Sequence, residues 1–239
     1  MRVGTFVALA VVLAVVFVRL GFWQLDRLEQ RRARNAQLAS RLAEPVRPFE
    51  QLRDSASFRR VTLAGAPDYG NEIVLTGRSR NGSPGVYILT PIRRPNSDTA
   101  VVVLRGWVYA PDAASVDLSR WHESRNAFQG YVVPLPPSPI PPATAPSRSG
   151  TGRKLRALSS VGVRALLPYP ASAQYVVSRD TASDSTPVRL LLPALDNGPH
   201  LSYAIQWFSF AMIAIVGAAI VAFRARVSPD GAESTVRST

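Results

Sequence analysis

Two long apolar blocks frame this chain. Residues 3–18 are 16 consecutive apolar or small positions, and residues 20–25 extend the block to about 23 with Arg19 as the one charge inside it. An arginine so near a helix end can carry its guanidinium to the headgroup level along its own alkyl stem. Residues 201–223 form a second block of 23 without a formal charge. At about 1.5 Å of rise per residue, either block covers a hydrocarbon core of about 30 Å, so the pattern predicts two membrane helices. Small residues in the first block, such as Ala8 and Ala10, lie inside the apolar run, and Arg19-Leu20-Gly21-Phe22-Trp23 follows it. A signal peptide would need small residues at a cleavage position beyond the run, so the block reads as an uncleaved anchor.

Between the blocks the pattern changes twice. Residues 26–43 are rich in helix formers, with Leu28, Leu38 and Leu42 as their only large apolar side chains. They predict a polar helix that ends before Pro45. Residues 58–64, 72–78, 85–92 and 100–109 are β-rich runs separated by the turn sequences Pro67-Asp68-Tyr69-Gly70, Asn81-Gly82-Ser83-Pro84 and Pro95-Asn96-Ser97-Asp98. Short strands at such spacing predict an antiparallel meander, either a small sheet or a partly closed barrel. Residues 128–133 add a fifth strand. Seven prolines then fall in the thirteen residues 134–146, a density that no sheet interior accepts. The stretch predicts a surface loop or extended linker of polyproline II character running to about residue 153. A short helix over 160–167, ended by Pro168, and a last strand over 174–179 complete the list, with 180–187 as a polar loop and the strands pairing across the proline insert.

The expected fold class is therefore membrane α plus soluble mainly β: two transmembrane helices flank an antiparallel β-sheet or partly closed β-barrel domain with a few short helices. The expected layout is a first membrane helix over 1–25, a polar helix over 26–44, an extracytoplasmic mainly-β domain over 45–200 with a proline-rich insert at 134–153, a second membrane helix over 201–223 and a cytoplasmic tail over 224–239.

Composition narrows the chemistry. The formal charge is +12, with 28 basic residues. All of these but Lys154 are arginines, spread along the chain, and the one dense run, residues 27–34, abuts a membrane block. This argues for contact with membrane lipid and against nucleic acid, because each base beside anionic headgroups gains about 1 kcal/mol. The absence of cysteine excludes disulfides and thiol chemistry, and with Met1 and Met212 as the only methionines a soft copper site is excluded too. Arg224 and Arg226 directly follow the second block. The positive-inside rule then puts the C-terminus, and with two spans the N-terminus, in the cytoplasm. The first block carries the opposite bias through Arg19 and the 27–34 run. Placing Trp23 with Tyr203 and Trp207 in one outer aromatic belt decides for the second block.

Candidate sites are few. His122, in Trp121-His122-Glu123, has no Gly-x-Ser-x-Gly elbow beside it and reads as a solvent-facing loop histidine. No catalytic residue is expected, and the chain does not read as an enzyme. His200 opens the second block, and helical spacing puts Tyr203, Ala204 and Trp207 on its face. Such an imidazole can act as an axial haem ligand or as an interfacial anchor, and the residues leave both open. A second strip, Ser202, Gln206, Ser209 and Gly217, suits either close packing against Gly21 and Gln24 of the first block or contact with headgroups.

Four segments in order, together with both blocks, resemble the Surf1 (surfeit locus 1) family. They are Leu20-Gly21-Phe22-Trp23-Gln24-Leu25-Asp26-Arg27, Gly85-Val86-Tyr87-Ile88-Leu89-Thr90-Pro91, Arg105-Gly106-Trp107-Val108, and Asn197-Gly198-Pro199-His200-Leu201-Ser202-Tyr203-Ala204-Ile205-Gln206-Trp207-Phe208. The resemblance covers residue 18 to about 227 and is weakest from 111 to 184. It implies a cell-membrane assembly factor for haem-copper cytochrome c oxidase, associated with providing haem a to the oxidase large subunit alongside other assembly factors. It also implies a haem ligand at the mouth of the second span, which here is His200. Asn197-Gly198-Pro199-His200 stands where the family has Asn-Asn-His, one residue longer. On that reading Tyr203 and Trp207 pack the ring, Trp23 and Gln24 complete the pocket and Arg27 pairs with a propionate. The alternative is a haem-free membrane scaffold that stabilises an oxidase assembly intermediate, with Arg105, Gly106 and Trp107 as partner contacts.

Overall fold

The computed structural model describes residues 3–52, 57–137, 147–149, 152–181, 183, 185–192 and 194–227. The chain opens with α1 (Val3–Ala43), in which the apolar block and the polar stretch form one continuous helix. It holds no proline, and Pro45 lies just beyond its end. Next come β1 (Arg47–Pro48), β2 (Arg60–Ala64), β3 (Ala66–Pro67), β4 (Ile73–Arg80), β5 (Ser83–Arg93), β6 (Ala100–Tyr109) and β7 (Ala127–Pro134). Then follow β8 (Ser147–Ser149), β9 (Gly152–Leu155), α2 (Ser160–Leu166), β10 (Ala171–Ser178) and α3 (His200–Val227). The whole divides into a helix unit, Met1–Gln37 with Ala194–Thr239, and a sheet unit, Leu38–Pro193.

The sheet runs in the order β1-β2-β7-β10-β6-β5-β4-β9-β8, with β3 paired to β5 off that path. It is open, with β1 and β8 at its two ends, not a barrel. The expected meander exists as β4-β5-β6. The run at 58–64 does not belong to it, because β2 pairs with β7 at the other side of the sheet. The sheet is also mixed: β1 lies parallel to β2, β9 to β4 and β10 to β6. Of the expected proline-rich loop, residues 138–146, 150 and 151 lie outside the described residues, while its tail is the β8-β9 pair.

Alternation along the strands gives the sheet two apolar faces. On one, Ile73, Leu75, Leu89, Val102 and Leu104 pack with Val163 and Leu166 of α2. Ser159 caps that helix by accepting from the Gly162 amide. The other face carries two separate clusters, one around Ile92, Val101, Val103, Phe128 and Val176, the other around Val74, Val86, Ile88 and Val108. Strand parity places Glu72, Thr90 and Arg105 on this second face, between the two clusters.

In the helix unit the covered positions of α1 include Ala10, Ala14, Phe17, Gly21, Gln24, Leu28, Arg31 and Asn35, steps of four and three in alternation. Those of α3 include His200, Ala204, Trp207, Ala211, Ala214, Ala218 and Val221, with the same steps. Alternating steps of four and three are the seam of a left-handed helix pair. Contacts pair rising numbers on α1 with falling numbers on α3, so the two helices run antiparallel: Phe17 with Phe210, Phe22 with Phe208, Gln24 with His200, Arg31 with Asp196. A Cβ on Gly21 would stand 2.6 Å from the Phe208 ring, so only glycine permits the approach made there.

Candidate functional site

The first group of candidate residues sits where α1 and α3 meet. His200 begins α3, and the Tyr203 amide closes the first helical turn onto the Pro199 carbonyl. Gly198, at φ +65°, supplies the left-handed step before Pro199. Its amide donates to Asp196 Oδ1 at 2.9 Å, and Asp196 is in turn gripped by Arg31 Nη2 at 3.4 Å and by Asn35 Nδ2, which donates to its carbonyl at 2.7 Å. The loop that delivers the histidine is thus tied to α1 by two polar side chains.

His200 Nδ1 lies 2.9 Å from Gln24 Oε1. An amide oxygen only accepts, so Nδ1 is the donor in this contact, and in the neutral ring Nε2 then keeps its lone pair. Nε2 faces the space beside Gly198, where a Cβ would come within 3.5 Å of it. An imidazole whose far nitrogen is fixed by a hydrogen bond, with the other nitrogen bare, is the arrangement that metal-ligating histidines use. These residues fit an axial haem ligand.

The remaining candidates divide. Ala204 is buried next to His200, and Trp207 stacks on Phe17 at 5.7 Å between centroids with its edge toward Phe210. Tyr203 and Trp23 are about half exposed and point away from the seam, and Arg27 lies over the Trp23 ring at 5.5 Å while donating to Gln30. The strip of Ser202, Gln206 and Ser209 is exposed, and nothing approaches Gly217. The alanines at 204, 211 and 218 make the close packing in its place, because they share the histidine's own face. Helical spacing from His200 gives the start of this seam, Ala204 and Trp207, and its continuation through Ala211 and Ala218 follows the same steps.

The second group lies in the sheet unit. Arg105 is 0% exposed, so it is not available as a partner contact. Its Nη1 meets Glu72 Oε1 at 3.2 Å, its Nη2 meets Glu123 Oε1 at 2.6 Å, and Nη2 also donates to the Trp121 carbonyl. Thr90 Oγ1 donates to Glu72 Oε1 at 2.5 Å, and Arg125 and Arg189 hold the other oxygen of Glu123. Two carboxylates, a guanidinium and their donors thus fill the gap between the two apolar clusters. Burial is the largest influence on the Glu72 carboxyl and pushes it above the usual range, against the opposing pull of Thr90, Arg105 and His122.

His122 is the exposed loop residue expected, and it also has partners. Its Nε2 lies 3.2 Å from Glu72 Oε2 and its ring stacks on Tyr69 at 4.0 Å, although its side chain stays 37% exposed. Fifty residues of sequence separate it from Glu72, so no local signal could have joined them. Gly106, at φ +153°, sits where a Cβ would stand 2.5 Å from the Val188 carbonyl oxygen. Trp107 follows on the opposite face from Arg105, partly exposed.

Helices α1 and α3 are long and apolar enough to cross a membrane, and only 6% and 17% of their apolar stretches are buried within the protein, which is not how the core helix of a soluble protein behaves. Two such helices around an open mixed sheet define a two-span membrane protein with a single β domain. The SURF1 family matches residues 11–212, and the chain belongs to that family. It is 24% identical over 209 residues to a SURF1-like protein of Rickettsia felis, covering 84% of this chain and 89% of the relative. It is 28% identical over 231 residues to an uncharacterized SURF1-like protein of Mycobacterium tuberculosis, covering 87% and 78%. A shorter match, 27% identical over 112 residues, 43% of this chain and 28% of the relative, is to the cytochrome oxidase assembly protein SHY1 of Saccharomyces cerevisiae.

Proposed function

We propose that this protein is a non-enzymatic assembly factor for haem-copper cytochrome c oxidase, and that it holds haem a at the outer membrane interface for delivery to the oxidase large subunit. The role in oxidase assembly follows from the family and from the name of the yeast relative. The observation that supports the haem step is the 2.9 Å contact between His200 Nδ1 and Gln24 Oε1, which leaves Nε2 as a bare donor at the end of a membrane helix. When bound, haem a would supply an iron that a histidine nitrogen such as His200 Nε2 could ligate.

The residues divide the work by their chemistry. His200 offers Nε2, and Gln24 fixes its tautomer. Trp207 and Phe17 give an aromatic wall, and Ala204 takes little space next to the histidine. Arg27, exposed at the same level of α1, is the cation within reach of a carboxylate. Arg224 and Arg226 in the last turn of α3 favour an orientation with both termini in the cytoplasm and the sheet unit outside.

The test is the visible spectrum of wild type and His200→Ala purified from cells that make haem a. Loss of the haem bands in the variant, with the protein otherwise intact, is the expected result. Equal haem content in the two proteins would remove the ligand assignment, and co-purification of an oxidase subunit with no haem in either would favour the haem-free scaffold.

A further inference from the structure

Among the described residues, two buried side-chain nitrogens have no hydrogen-bond acceptor: Arg78 Nε and Trp107 Nε1. They are neighbours. Register pairs Arg78 with Gly85, Arg80 with Ser83, Gly85 with Tyr109 and Tyr87 with Trp107. Side chains opposite one another on paired strands share a face, so Arg78, Arg80, Tyr87, Trp107 and Tyr109 surround Gly85 on one side of β4, β5 and β6. Gly85 is small for a reason: a Cβ there would stand 2.3 Å from Trp107 Nε1. The indole lies across the glycine backbone, with Arg80 above its ring at 6.0 Å and Tyr109 at its edge at 6.5 Å. Arg78 covers the Tyr87 ring at 5.7 Å.

The face has an unbalanced charge. Strands β4, β5, β6 and β9 hold no Asp or Glu, and Asp112, three residues beyond Tyr109, accepts from the Ala114 and Ser115 amides of its own loop. Arg105 spends its charge on Glu72 and Glu123, and Arg93 lies over Tyr169. Arg78 donates to a neutral carbonyl, that of Arg156. Tyr109 is 57% exposed although aromatic. Exposed tyrosine, tryptophan and arginine side by side are the composition of protein-interface hot spots. Arg78 Nε and Trp107 Nε1 are themselves buried, so the groups open to a partner are the guanidinium of Arg80 and the exposed part of that of Arg78, which favour a charged oxygen.

We propose that the Arg78, Arg80, Tyr87, Trp107 and Tyr109 face is the docking surface for a carboxylate-bearing segment of a protein partner. The partner is an acidic segment of the oxidase large subunit, an identification that rests on the assembly role proposed above. A carboxylate on this face meets the exposed Arg80 guanidinium beside the partly exposed Arg78, and Tyr109 and the outer side of the Trp107 ring receive the apolar side chains that flank it. A nucleic-acid strand fits less well, because two guanidinium groups are too few to track a row of phosphates.

The test uses the full-length protein in detergent micelles, with purified haem-free oxidase large subunit as the probe, and compares wild type with Arg80→Glu, Tyr109→Ala and His200→Ala. Arg80 and Tyr109 are exposed and belong to neither the haem residues nor the buried ion cluster, and circular dichroism checks that the sheet is retained. Expected is a loss of affinity of about tenfold or more in each of the first two variants, a wild-type affinity that falls with added salt, and His200→Ala binding as wild type. Wild-type binding that both face variants retain in full overturns the docking surface and leaves the assembly role standing. Failure of wild type itself to bind overturns both. Affinity for phosphatidylglycerol vesicles that falls in Arg80→Glu and Tyr109→Ala, with large-subunit binding unchanged, overturns the protein partner in favour of a lipid surface.

Discussion

The helix pair and the sheet each place polar side chains away from water, and they do so by opposite means. In the helix pair the polar contact is a neutral one, His200 with Gln24, set in a seam of alanine and glycine. In the sheet it is ionic: Arg105 with Glu72 and Glu123, wholly enclosed between two apolar clusters. A neutral pair costs little desolvation and leaves one nitrogen uncommitted. An enclosed ion cluster costs several kcal/mol per ion unless every charge is met, so it commits all its members and serves to fix one packing of the strands. The first arrangement suits a group that must bind and release. The second suits a frame.

The contrast can be broken most directly at Arg105. Arg105→Met leaves buried Glu72 without a guanidinium and Glu123 with Arg125 and Arg189 alone, and is expected to destabilise the sheet unit by about 3–5 kcal/mol. Urea unfolding of the full chain in micelles measures this, and a loss below about 1 kcal/mol would mean that the carboxylates are already neutral. Next in size is Gly21→Leu, whose side chain must enter the space of the Phe208 ring. Overpacking of about 1–3 kcal/mol is expected from the thermal midpoint of the helix unit, and an unchanged midpoint would show that the helices do not meet at this seam. Gln24→Leu removes one neutral hydrogen bond, about 0.5–1.5 kcal/mol. Its sharper readout is nitrogen NMR of His200: a single Nδ1-protonated tautomer in wild type, a mixture in the variant.

The smallest effect is a slope. Burial raises the Glu72 carboxyl above the ordinary range. A carboxyl whose native pKa exceeds its unfolded one holds its proton more firmly when folded. Its contribution is therefore full below about pH 4, near the unfolded value, and is lost as pH rises through the native one. Glu72→Gln is expected to flatten the fall in thermal midpoint over that window. A slope identical to that of wild type would take Glu72 out of the titration.

What could be read from the sequence follows the range of the interactions. Both membrane helices, the β4-β5-β6 meander, α2 and the face shared by His200, Ala204 and Trp207 are set by neighbours a few residues apart, and they were legible. The pairing of β2 with β7, the three parallel pairings and the meeting of His122 with Glu72 depend on residues tens of positions apart, and no local pattern carries them. Arg105 shows the difference within one motif. Arg105-Gly106-Trp107 stands out in the sequence as a unit, yet the strand sends its first side chain into the interior and its third to the surface. The extra residue accommodated at Gly106, which shifts the β5-β6 register, is what separates their fates.

The place of β10 has a consequence for how the molecule is made. Among the described residues it is the last strand in the chain, yet it lies between β6 and β7 and is the one strand that joins the two sides of the sheet. Until it is made and has joined them, β2-β7 and β4-β5-β6 are separate ribbons, each with a bare edge of valine-rich strand. Edges of this kind are templates for pairing with the wrong chain, and they stay open for as long as translation takes to cross the proline-rich stretch. Translation speed through residues 134–171 thus sets how long the nascent chain is vulnerable, and release before β10 is complete yields aggregate in place of a smaller folded domain.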